Sequence, residues 1–392
     1  ISWITEMEDN GYEWKDNDGN TTDIFQLLKA YNMNIVRLRV WVNPETSNAN
    51  GWCDIDDLVV KAERAKNAGL DVMLTIHYSD WWADPGKQNK PQAWATYSMS
   101  QLETAVANHT TGVLNGLSAK NITPKYIQIG NETDNGMLWD TGKASVGGFS
   151  NYAKFINAGA EAVKNFNSNI KTIIHISNGF NNDLFKWNID GLLSNGLVTS
   201  NIDVIGLSLY PAIADWKVKV DETYDNMIDL QSRYQKEVMM VEVGHPNDNY
   251  DVTYQFLVYM IEKTKQANGL GVLYWEPAVF NGWRNYNKGA WDDDGSPSVA
   301  MDAFKNNATL STNSTNLPLE KTFKIYPNPS NSSVTLSANH QKTQILKIYD
   351  VHGKLQKQVT INSIQKEVDI STLATGVYFF KADGFVEKFI KN

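Results

Sequence analysis

The chain has 392 residues, of which 42% are hydrophobic and 20% are charged, and its formal net charge is −9. That length allows two or three domains and a large core. No apolar stretch approaches the ~18 uninterrupted residues that mark a membrane-spanning helix. An acidic chain without a basic cluster is a poor match for nucleic-acid phosphates, so a neutral partner fits better.

The chain contains one cysteine, Cys53, and 13 Trp residues. A single cysteine excludes an internal disulfide bond and a cysteine-based metal site. Aromatic rings stack on the apolar faces of sugars, so the Trp content is mildly suggestive of carbohydrate, although large core residues explain most of it.

Up to residue 305, apolar runs of strand type alternate with amphipathic helical patterns, which indicates βα units around a parallel sheet. We count eight units, which predicts an α/β fold of the (β/α)8 TIM-barrel type. No Gly-x-Gly-x-x-Gly motif follows the first strand, so a dinucleotide-binding sheet loses its main support. The predicted strands are 1–4, 35–42, 71–77, 126–130, 172–177, 204–210, 238–242 and 271–275.

A polar segment follows the predicted barrel. Residues 306–318 are rich in Asn, Thr and Ser and cannot build a core, which predicts a linker between a catalytic domain at 1–305 and a second domain at 319–392. The second domain is predicted to be a small β-sandwich, because short alternating strands are separated by turn residues. Its predicted strands are 334–336, 345–349, 367–370, 377–382 and 385–390, with turns at 327–329, 352–353 and 383–384.

Two glutamates each close a buried strand-like run. Glu132 ends the run that begins at Tyr126, and Glu242 ends the run that begins at Glu237. Either one alone would more often be a solvated surface group or an ion-pair partner. In α/β barrels, however, catalytic side chains stand at the carboxyl ends of the strands, and two carboxyl groups across one glycosidic bond are what a glycosidase needs. For a retaining mechanism they lie about 5 Å apart, and their environments decide which one is protonated.

Several segments carry a family resemblance. They are 37–41, the long loop 78–94, 129–132 with Gly136 and Trp139 after it, and 274–277. In these segments the predicted barrel resembles the endo-β-1,4-galactanases, glycoside hydrolase family 53 of clan A, and the loop 78–94 is the most specific of them. The resemblance implies endo-acting cleavage of β-1,4-linked galactose in the galactan (type I arabinogalactan) side chains of pectin, with retained configuration.

The resemblance also implies roles for single residues. Glu132 would be the acid/base and Glu242 the nucleophile. Arg39 would stand beside Glu242 and favour its ionised form by charge proximity, and Asn131 would bind the 2-hydroxyl of the sugar. The complete set of implied substrate-binding residues is Arg39, His77, Asp80, Trp82, Asn131, Asn178, Tyr210, Trp275 and Trp283.

Three positions depart from the family pattern. Val243-Gly244-His245 follow the second glutamate where Thr, Ala and Tyr are more common, Tyr210 stands alone where two tyrosines are usual, and Val279 replaces an aromatic residue. These departures affect sugar contacts and leave two alternatives open. One is another clan A hydrolase, such as a mannanase or xylanase, and the other is a non-catalytic glycan-binding barrel.

Some candidate residues also have structural explanations. His175 is as well explained by strand packing as by substrate contact, whereas Trp81 and Trp82 lie on a loop where sugar stacking is favoured. Catalysis is expected to need no cofactor. Asp292 and Asp294 lie in an Asp-Asp-Asp-Gly turn that could hold a structural Ca²⁺, although a solvated acidic turn is favoured.

The C-terminal region carries a second resemblance, in the segments 326–329, 348–354, 373–379 and 388–391. They are similar to the sorting domain of the type IX secretion system of Bacteroidetes, which implies export to the cell surface or the medium of a Gram-negative bacterium. A carbohydrate-binding module is the rival, but it would normally display exposed aromatic residues, and this region contains no Trp. The expected partners are therefore a polysaccharide and the secretion machinery, and the expected state is a monomer.

Overall fold

The computed structural model describes residues 1–46, 51–307, 323–338, 344–351, 354–361, 365–382 and 385–392. The chain divides into two compact units, Ile1–Ser311 and Thr312–Asn392. Each unit has a hydrophobic core of its own.

The first unit is built on a parallel sheet whose strands pair in sequence order. Each strand pairs with the next in parallel orientation, and helices lie between them in the chain. The result is a nearly closed barrel, so the predicted TIM-barrel fold class is confirmed. The strands are β1 (Ile35–Val40), β2 (Asp71–Ile76), β3 (Tyr126–Ile129), β4 (Lys171–Ile176), β5 (Val204–Leu209), β6 (Glu237–Val243) and β7 (Val272–Tyr274).

Several helices begin where the sequence supplies a capping side chain. The Asp54 carboxylate accepts a hydrogen bond from the first turn of one helix, and Ser98 forms a capping box with Gln101 at another. The α-helices are α1 (Ile4–Asp9), α2 (Ile24–Ala30), α3 (Ile55–Asn67), α4 (Met99–Ser118), α5 (Ala144–Gly147), α6 (Phe149–Phe166), α7 (Asn182–Ser194), α8 (Trp216–Tyr234), α9 (Tyr250–Gln266) and α10 (Asp302–Asn307). Short 3-10 helices lie at Pro44–Thr46, Gln92–Trp94, Thr199–Asn201, Trp283–Asn285 and Val299–Met301.

The predicted strand at 1–4 is wrong. Ile4 begins helix α1, and the described residues contribute seven strands to the barrel sheet rather than eight. Ser2 nevertheless bridges the two ends of that sheet, because its hydroxyl accepts the Arg39 N–H and its own N–H donates to the Glu276 carboxylate. The apolar pattern of this segment correctly indicated burial, but a short apolar run does not separate strand from helix.

Alternation along the strands divides the barrel core into two layers. Val36, Leu38 and Val40 of β1 belong to the large cluster between sheet and helices. Residues on the other face, such as Met73, Ile173 and Met239, form a smaller cluster in the barrel interior. Arg37 and Arg39 lie on this interior face, which carries them toward the site.

The second unit contains two antiparallel sheets, which confirms the predicted all-β domain. The strands are β8 (Phe323–Tyr326), β9 (Ser333–Ala338), β10 (Gln344–Asp350), β11 (Leu355–Ile361), β12 (Gln365–Asp369), β13 (Gly376–Ala382) and β14 (Phe385–Lys391). The sheet orders are β11-β10-β13-β14 and β12-β9-β8, around a core that includes Val334, Ile348 and Phe380. The strands at 323–326 and 355–361 were not predicted. The predicted turns at 352–353 and 383–384, and the linker beyond residue 307, lie outside the described residues.

Within the described part of the chain, no helix is both long enough and apolar enough to cross a bilayer.

Candidate active site

Glu132 lies in the turn that follows β3. Its φ of 43° is in the left-handed region, which is uncommon for a residue with a side chain. Two contacts with His175 hold the turn: the Glu132 N–H donates to Nδ1 at 3.3 Å, and the Thr133 N–H donates to the carbonyl oxygen at 2.9 Å. The Ser208 hydroxyl, at the end of β5, donates to Glu132 Oε1 at 2.6 Å. The acid is therefore fixed by both of the next two strands.

The environment of Glu132 favours its protonated form. Burial raises the pKa of Glu132 well above its ordinary value, and the negative charge of Glu242 raises it further. The hydrogen bond from Ser208 and the charge of Arg37 act in the opposite direction but do not outweigh them. A carboxylic acid kept protonated beside a second carboxylate is the form that a general acid needs.

Glu242 reaches the site through a bulge in β6. Leu207 of β5 pairs with Met240, but the next residue, Ser208, pairs with Glu242, so Val241 is an extra residue in β6. Without that extra residue, strand alternation would direct Glu242 toward the helices, because Met240, two residues earlier, lies in the cluster on that side. A bulge of this kind re-aims a side chain.

Two residues hold the Glu242 carboxylate. The Arg37 guanidinium forms an ion pair with Oε2 at 2.9 Å, and the Tyr210 hydroxyl donates to Oε1. Burial and the charge of Glu242 raise the pKa of Tyr210 well above its ordinary value, so its hydroxyl keeps its proton. Glu242 thus has a cation at one carboxylate oxygen and a hydroxyl donor at the other.

Arg37 links Glu242 to β3, the strand that leads to Glu132. Its guanidinium donates to Gln128 Oε1 at 3.0 Å and to Asn131 Oδ1 at 2.8 Å. Asn131 in turn donates through Nδ2 to the carbonyl oxygen of Ala83 in the 78–94 loop. The side chain of Asn131, predicted to bind the sugar, therefore lies beside the ion pair.

The prediction that Arg39 stands beside Glu242 is wrong, because Arg37 takes that place. Arg39 pairs instead with Glu276 at 3.5 Å, and its guanidinium lies over the rings of Trp82 and Trp41 at 4.0 and 4.5 Å. Both arginines face the barrel interior, so the alternation pattern of the sequence makes either one an equally good partner for Glu242. Which one meets Glu242 depends on the stagger between strands, which the sequence pattern does not carry.

Aromatic side chains form one wall of the site. Trp82 and Trp275 are half-buried and meet edge to face at 5.7 Å. Trp3 packs against both, at 5.6 and 5.1 Å. Tyr286 packs against Trp275 at 4.8 Å and donates its hydroxyl to the Trp275 carbonyl oxygen. The structure thus brings two predicted sugar-binding rings together on a rigid aromatic base.

Two predicted contact residues have clear internal partners. The buried His77 accepts the Ala83 N–H on Nδ1, and burial, with the charge of Arg39, lowers its pKa well below the ordinary value. Asp80 accepts the N–H groups of Asn43 and Gln92 through its two carboxylate oxygens, at 2.9 and 2.8 Å. Asp80 therefore joins the 78–94 loop to the chain after β1.

Two others lie nearer the rim. Asn178, just after β4, is exposed and has a φ of 52°. Trp283 lies in a 3-10 helix and packs on Tyr12 at 5.1 Å. Their roles in substrate binding stay predictions. His175, for which packing and substrate contact were both open, is fully buried and supports the turn that carries Glu132.

Sequence reasoning missed Ser208 and Glu276 as parts of this region. Ser208 pairs with Glu242 at the bulge. The only feature of the sequence that could have identified it as a site residue is its polar side chain within an apolar strand. Glu276 lies just after the end of β7, much as Glu132 lies just after the end of β3, so its position in the sequence was a signal for this region.

The candidate calcium turn is held by its own side chains. Asp294 accepts the N–H and hydroxyl of Ser296, at 2.9 and 2.5 Å, and Asp293 accepts the Asn281 N–H. Across the residues that the structure describes, no three His, Cys, Asp or Glu side chains gather as a metal site would require. A structural calcium at Asp292 and Asp294 stays a prediction.

Comparison with known proteins is consistent with this geometry. Residues 1–317 match glycosyl hydrolase family 53. A probable arabinogalactan endo-β-1,4-galactanase A of Aspergillus fumigatus is 34% identical over 300 residues, which are 71% of this chain and 82% of that protein. An uncharacterized protein of Niallia circulans is 37% identical over 252 residues, and the match spans 63% of this chain and 66% of that protein. A solved fungal β-1,4-galactanase superposes with a TM-score of 0.72 at 27% identity, covering 78% of this chain and 97% of the other.

The second unit has a match of its own. Residues 324–392 match the secretion system C-terminal sorting domain, which confirms the predicted type IX sorting domain and, with it, export to the cell surface or the extracellular space. The first match spans most of the sequence. The chain therefore belongs to glycosyl hydrolase family 53 and is a glycosidase with a C-terminal sorting domain.

Proposed function

We propose that the barrel is a retaining endo-β-1,4-galactanase in which Glu132 is the acid/base and Glu242 the nucleophile. The observation that carries the proposal is the difference in environment between the Glu132 and Glu242 carboxyl groups at one mouth of the barrel. Glu132 has a raised pKa because of burial and the charge of Glu242, whereas Glu242 is paired with Arg37. A double displacement needs one protonated and one ionised carboxyl group.

In the first step, Glu132 donates its proton to the glycosidic oxygen while Glu242 attacks the anomeric carbon. Arg37 and Tyr210 hold the attacking carboxylate in place. Asn131, fixed by Arg37 and Ala83, lies where an amide could bond a sugar hydroxyl. Hydrogen bonds to the 2-hydroxyl strengthen in the transition state and would add to the rate.

The second step follows from the coupling between the two acids. Once Glu242 is esterified, its negative charge is gone, and with it one of the two main causes that raise the pKa of Glu132. The pKa of Glu132 then falls, so that it can accept a proton from the attacking water. The same residue therefore changes from acid to base without moving.

We infer the substrate from the relatives together with the aromatic wall. The relative from A. fumigatus and the fungal structure are both described as β-1,4-galactanases. Trp82 and Trp275 offer partly exposed ring faces on which a galactose ring can stack. Release of reducing sugar from lupin or potato galactan, compared with mannan and xylan, tests this choice. Preference for mannan or xylan would instead favour the alternative clan A activity.

The roles of the two glutamates are tested with azide and an activated aryl glycoside of β-1,4-galactobiose. Glu132→Ala should lose turnover on galactan, and azide should restore aryl-glycoside cleavage with a β-glycosyl azide product. In Glu242→Gly, azide should attack directly and give the α-azide. Azide products of the opposite configuration would reverse the two roles, and full galactan turnover by either variant would refute the assignment.

We also propose that catalysis needs no cofactor and that the exported enzyme is a monomer. Galactan turnover should be unchanged after dialysis against EDTA, while a drop in melting temperature on EDTA treatment would indicate a structural calcium. Light scattering of the full chain should give the mass of one copy.

A further inference from the structure

Gly244, two residues after the nucleophile, has no room for a side chain. A Cβ atom built on it would lie 2.6 Å from Cε1 of Tyr210 and 3.1 Å from the hydroxyl oxygen of Tyr286. The first distance is shorter than real Cβ contacts, so a methyl group there would displace the Tyr210 ring. The φ of Gly244 lies outside the left-handed region, so the site uses the missing side chain rather than backbone freedom.

The Tyr210 ring edge that meets Gly244 is the edge beside its hydroxyl. That hydroxyl donates to Oε1 of Glu242. Tyr210 is 36% exposed, so its ring has room to shift if it is pushed from the Gly244 side. A small shift of the ring at Gly244 would therefore move the donor away from the nucleophile.

The Tyr286 hydroxyl that meets Gly244 supports the aromatic wall. It donates to the Trp275 carbonyl oxygen at 3.0 Å, and the Tyr286 ring packs on Trp275 and Trp3 at 4.8 and 5.9 Å. The Trp275 N–H in turn donates to the carbonyl oxygen of Val243, the residue before Gly244. Gly244 thus lies between Tyr210, which donates to Glu242, and Tyr286, which supports Trp275.

We propose that Gly244 is a positioning residue for the reaction. Because Gly244 has no side chain, the Tyr210 ring can pack against its Cα, which fixes the position of the Tyr210 hydroxyl relative to Glu242. The same contact region fixes the position of the Trp275 ring on which the sugar would stack. This inference rests on the proposed function, since it assigns a purpose to contacts with the proposed nucleophile. It adds a specificity element, because one methyl group at 244 would change both the attacking group and the ring beneath the sugar.

The test is a double-mutant cycle in the full chain, with galacto-oligosaccharide hydrolysis as the readout. Gly244→Ala should lower kcat on the order of ten- to a hundredfold, as expected for misplacement of a reacting group. In a Tyr210→Phe background, the same change should lower kcat by less than about threefold, because the hydroxyl contact is already gone. KM should rise in both backgrounds through Trp275. Wild-type kcat and KM in Gly244→Ala, or equal kcat losses in both backgrounds, would overturn the inference.

Two controls keep the result interpretable. Gly112→Ala, on α4, places a Cβ 3.8 Å from Ile55 and should leave kcat and KM unchanged. If Gly244→Ala fails to fold, the pair Gly244→Ala and Tyr210→Ala, which removes the ring, should fold with the kcat of Tyr210→Ala alone; failure of that double variant to fold would refute the clash. Turnover by Glu242→Ala would refute the proposed function itself, whatever the outcome at Gly244.

Discussion

Two buried arginine–glutamate pairs lie side by side in the barrel mouth, and only one is placed for chemistry. Arg37 and Arg39 are two residues apart on β1, and their partners Glu242 and Glu276 lie at the carboxyl ends of β6 and β7. Both pairs are nearly inaccessible, with all four side chains at most 8% exposed. Residue type, burial and strand position are therefore the same for both pairs.

The pairs differ in what surrounds the carboxylates. The Glu276 oxygens accept the Ser2 N–H at 2.8 and 3.0 Å, and the rings of Trp82 and Trp41 cover Arg39. Glu242 instead meets the half-exposed Tyr210 and a second carboxyl group, Glu132, whose pKa its charge raises. A carboxylate whose oxygens are satisfied by backbone donors stabilises the fold, whereas one facing another acid is placed to react.

The largest expected difference is in turnover. Glu242→Ala should lower kcat on galactan by about 10⁴-fold or more, because it removes the proposed nucleophile. Oligosaccharide binding, measured by calorimetry, should remain. Glu237→Ala is the matched control, since it lies at the other end of β6 in a surface pair with Lys171 and should leave kcat unchanged. Residual turnover within tenfold of wild type would place the nucleophile elsewhere.

Breaking the Arg39–Glu276 pair should lower the stability of the fold rather than act directly on turnover. Glu276→Gln leaves Arg39 buried without a counter-charge, so the free energy of unfolding should fall by about 3–5 kcal/mol. Urea denaturation measures this change. Glu222→Gln, which disrupts an exposed pair with Lys219, should change the unfolding free energy by less than about 1 kcal/mol. An unchanged denaturation midpoint in Glu276→Gln would mean that the two pairs do not differ as described.

Removing the charge of Glu242 should also change the pKa of Glu132. In Glu242→Gln, the pKa of Glu132 should fall, because the second largest of the causes that raise it is removed. It should stay above the ordinary value, since burial is the larger cause. Carbon-13 NMR of labelled glutamate carboxyl groups would follow the titration, with Glu237→Gln as a control. A pKa of Glu132 that does not move would show that the two carboxyl groups are not coupled.

The comparison also shows how far the sequence could lead. Seven of the eight strands predicted from apolar runs are present in the structure. Glu132, Asn131 and Glu242 were identified as candidates because they are polar residues at the ends of such runs. These features are local, because alternation and burial are written in neighbouring residues. The sequence therefore predicted the fold class and the position of both glutamates on their strands.

What the sequence could not predict depends on pairing between distant strands. The choice between Arg37 and Arg39 follows from strand stagger, and the direction of Glu242 follows from the extra residue in β6 opposite Leu207 and Ser208. A one-residue change in register turns every following side chain to the other face. Arg37 and Arg39 have equivalent positions in the sequence pattern, and only the pairing of strands in the folded barrel gives them different partners.

The smallest expected effect concerns Ser208, which lies opposite the bulge. Its hydroxyl donates to Oε1 of Glu132 and lowers that residue's pKa. In Ser208→Ala the pKa of Glu132 should rise, so the acid stays protonated to higher pH and the alkaline limb of kcat/KM should move upward. The plateau should fall about fivefold, the effect of about 1 kcal/mol from one lost hydrogen bond. The exposed Ser232→Ala is the control and should leave the profile unchanged. A downward movement of the alkaline limb in Ser208→Ala would mean that the Ser208 hydroxyl accepts the proton of Glu132 instead of donating to its carboxyl oxygen.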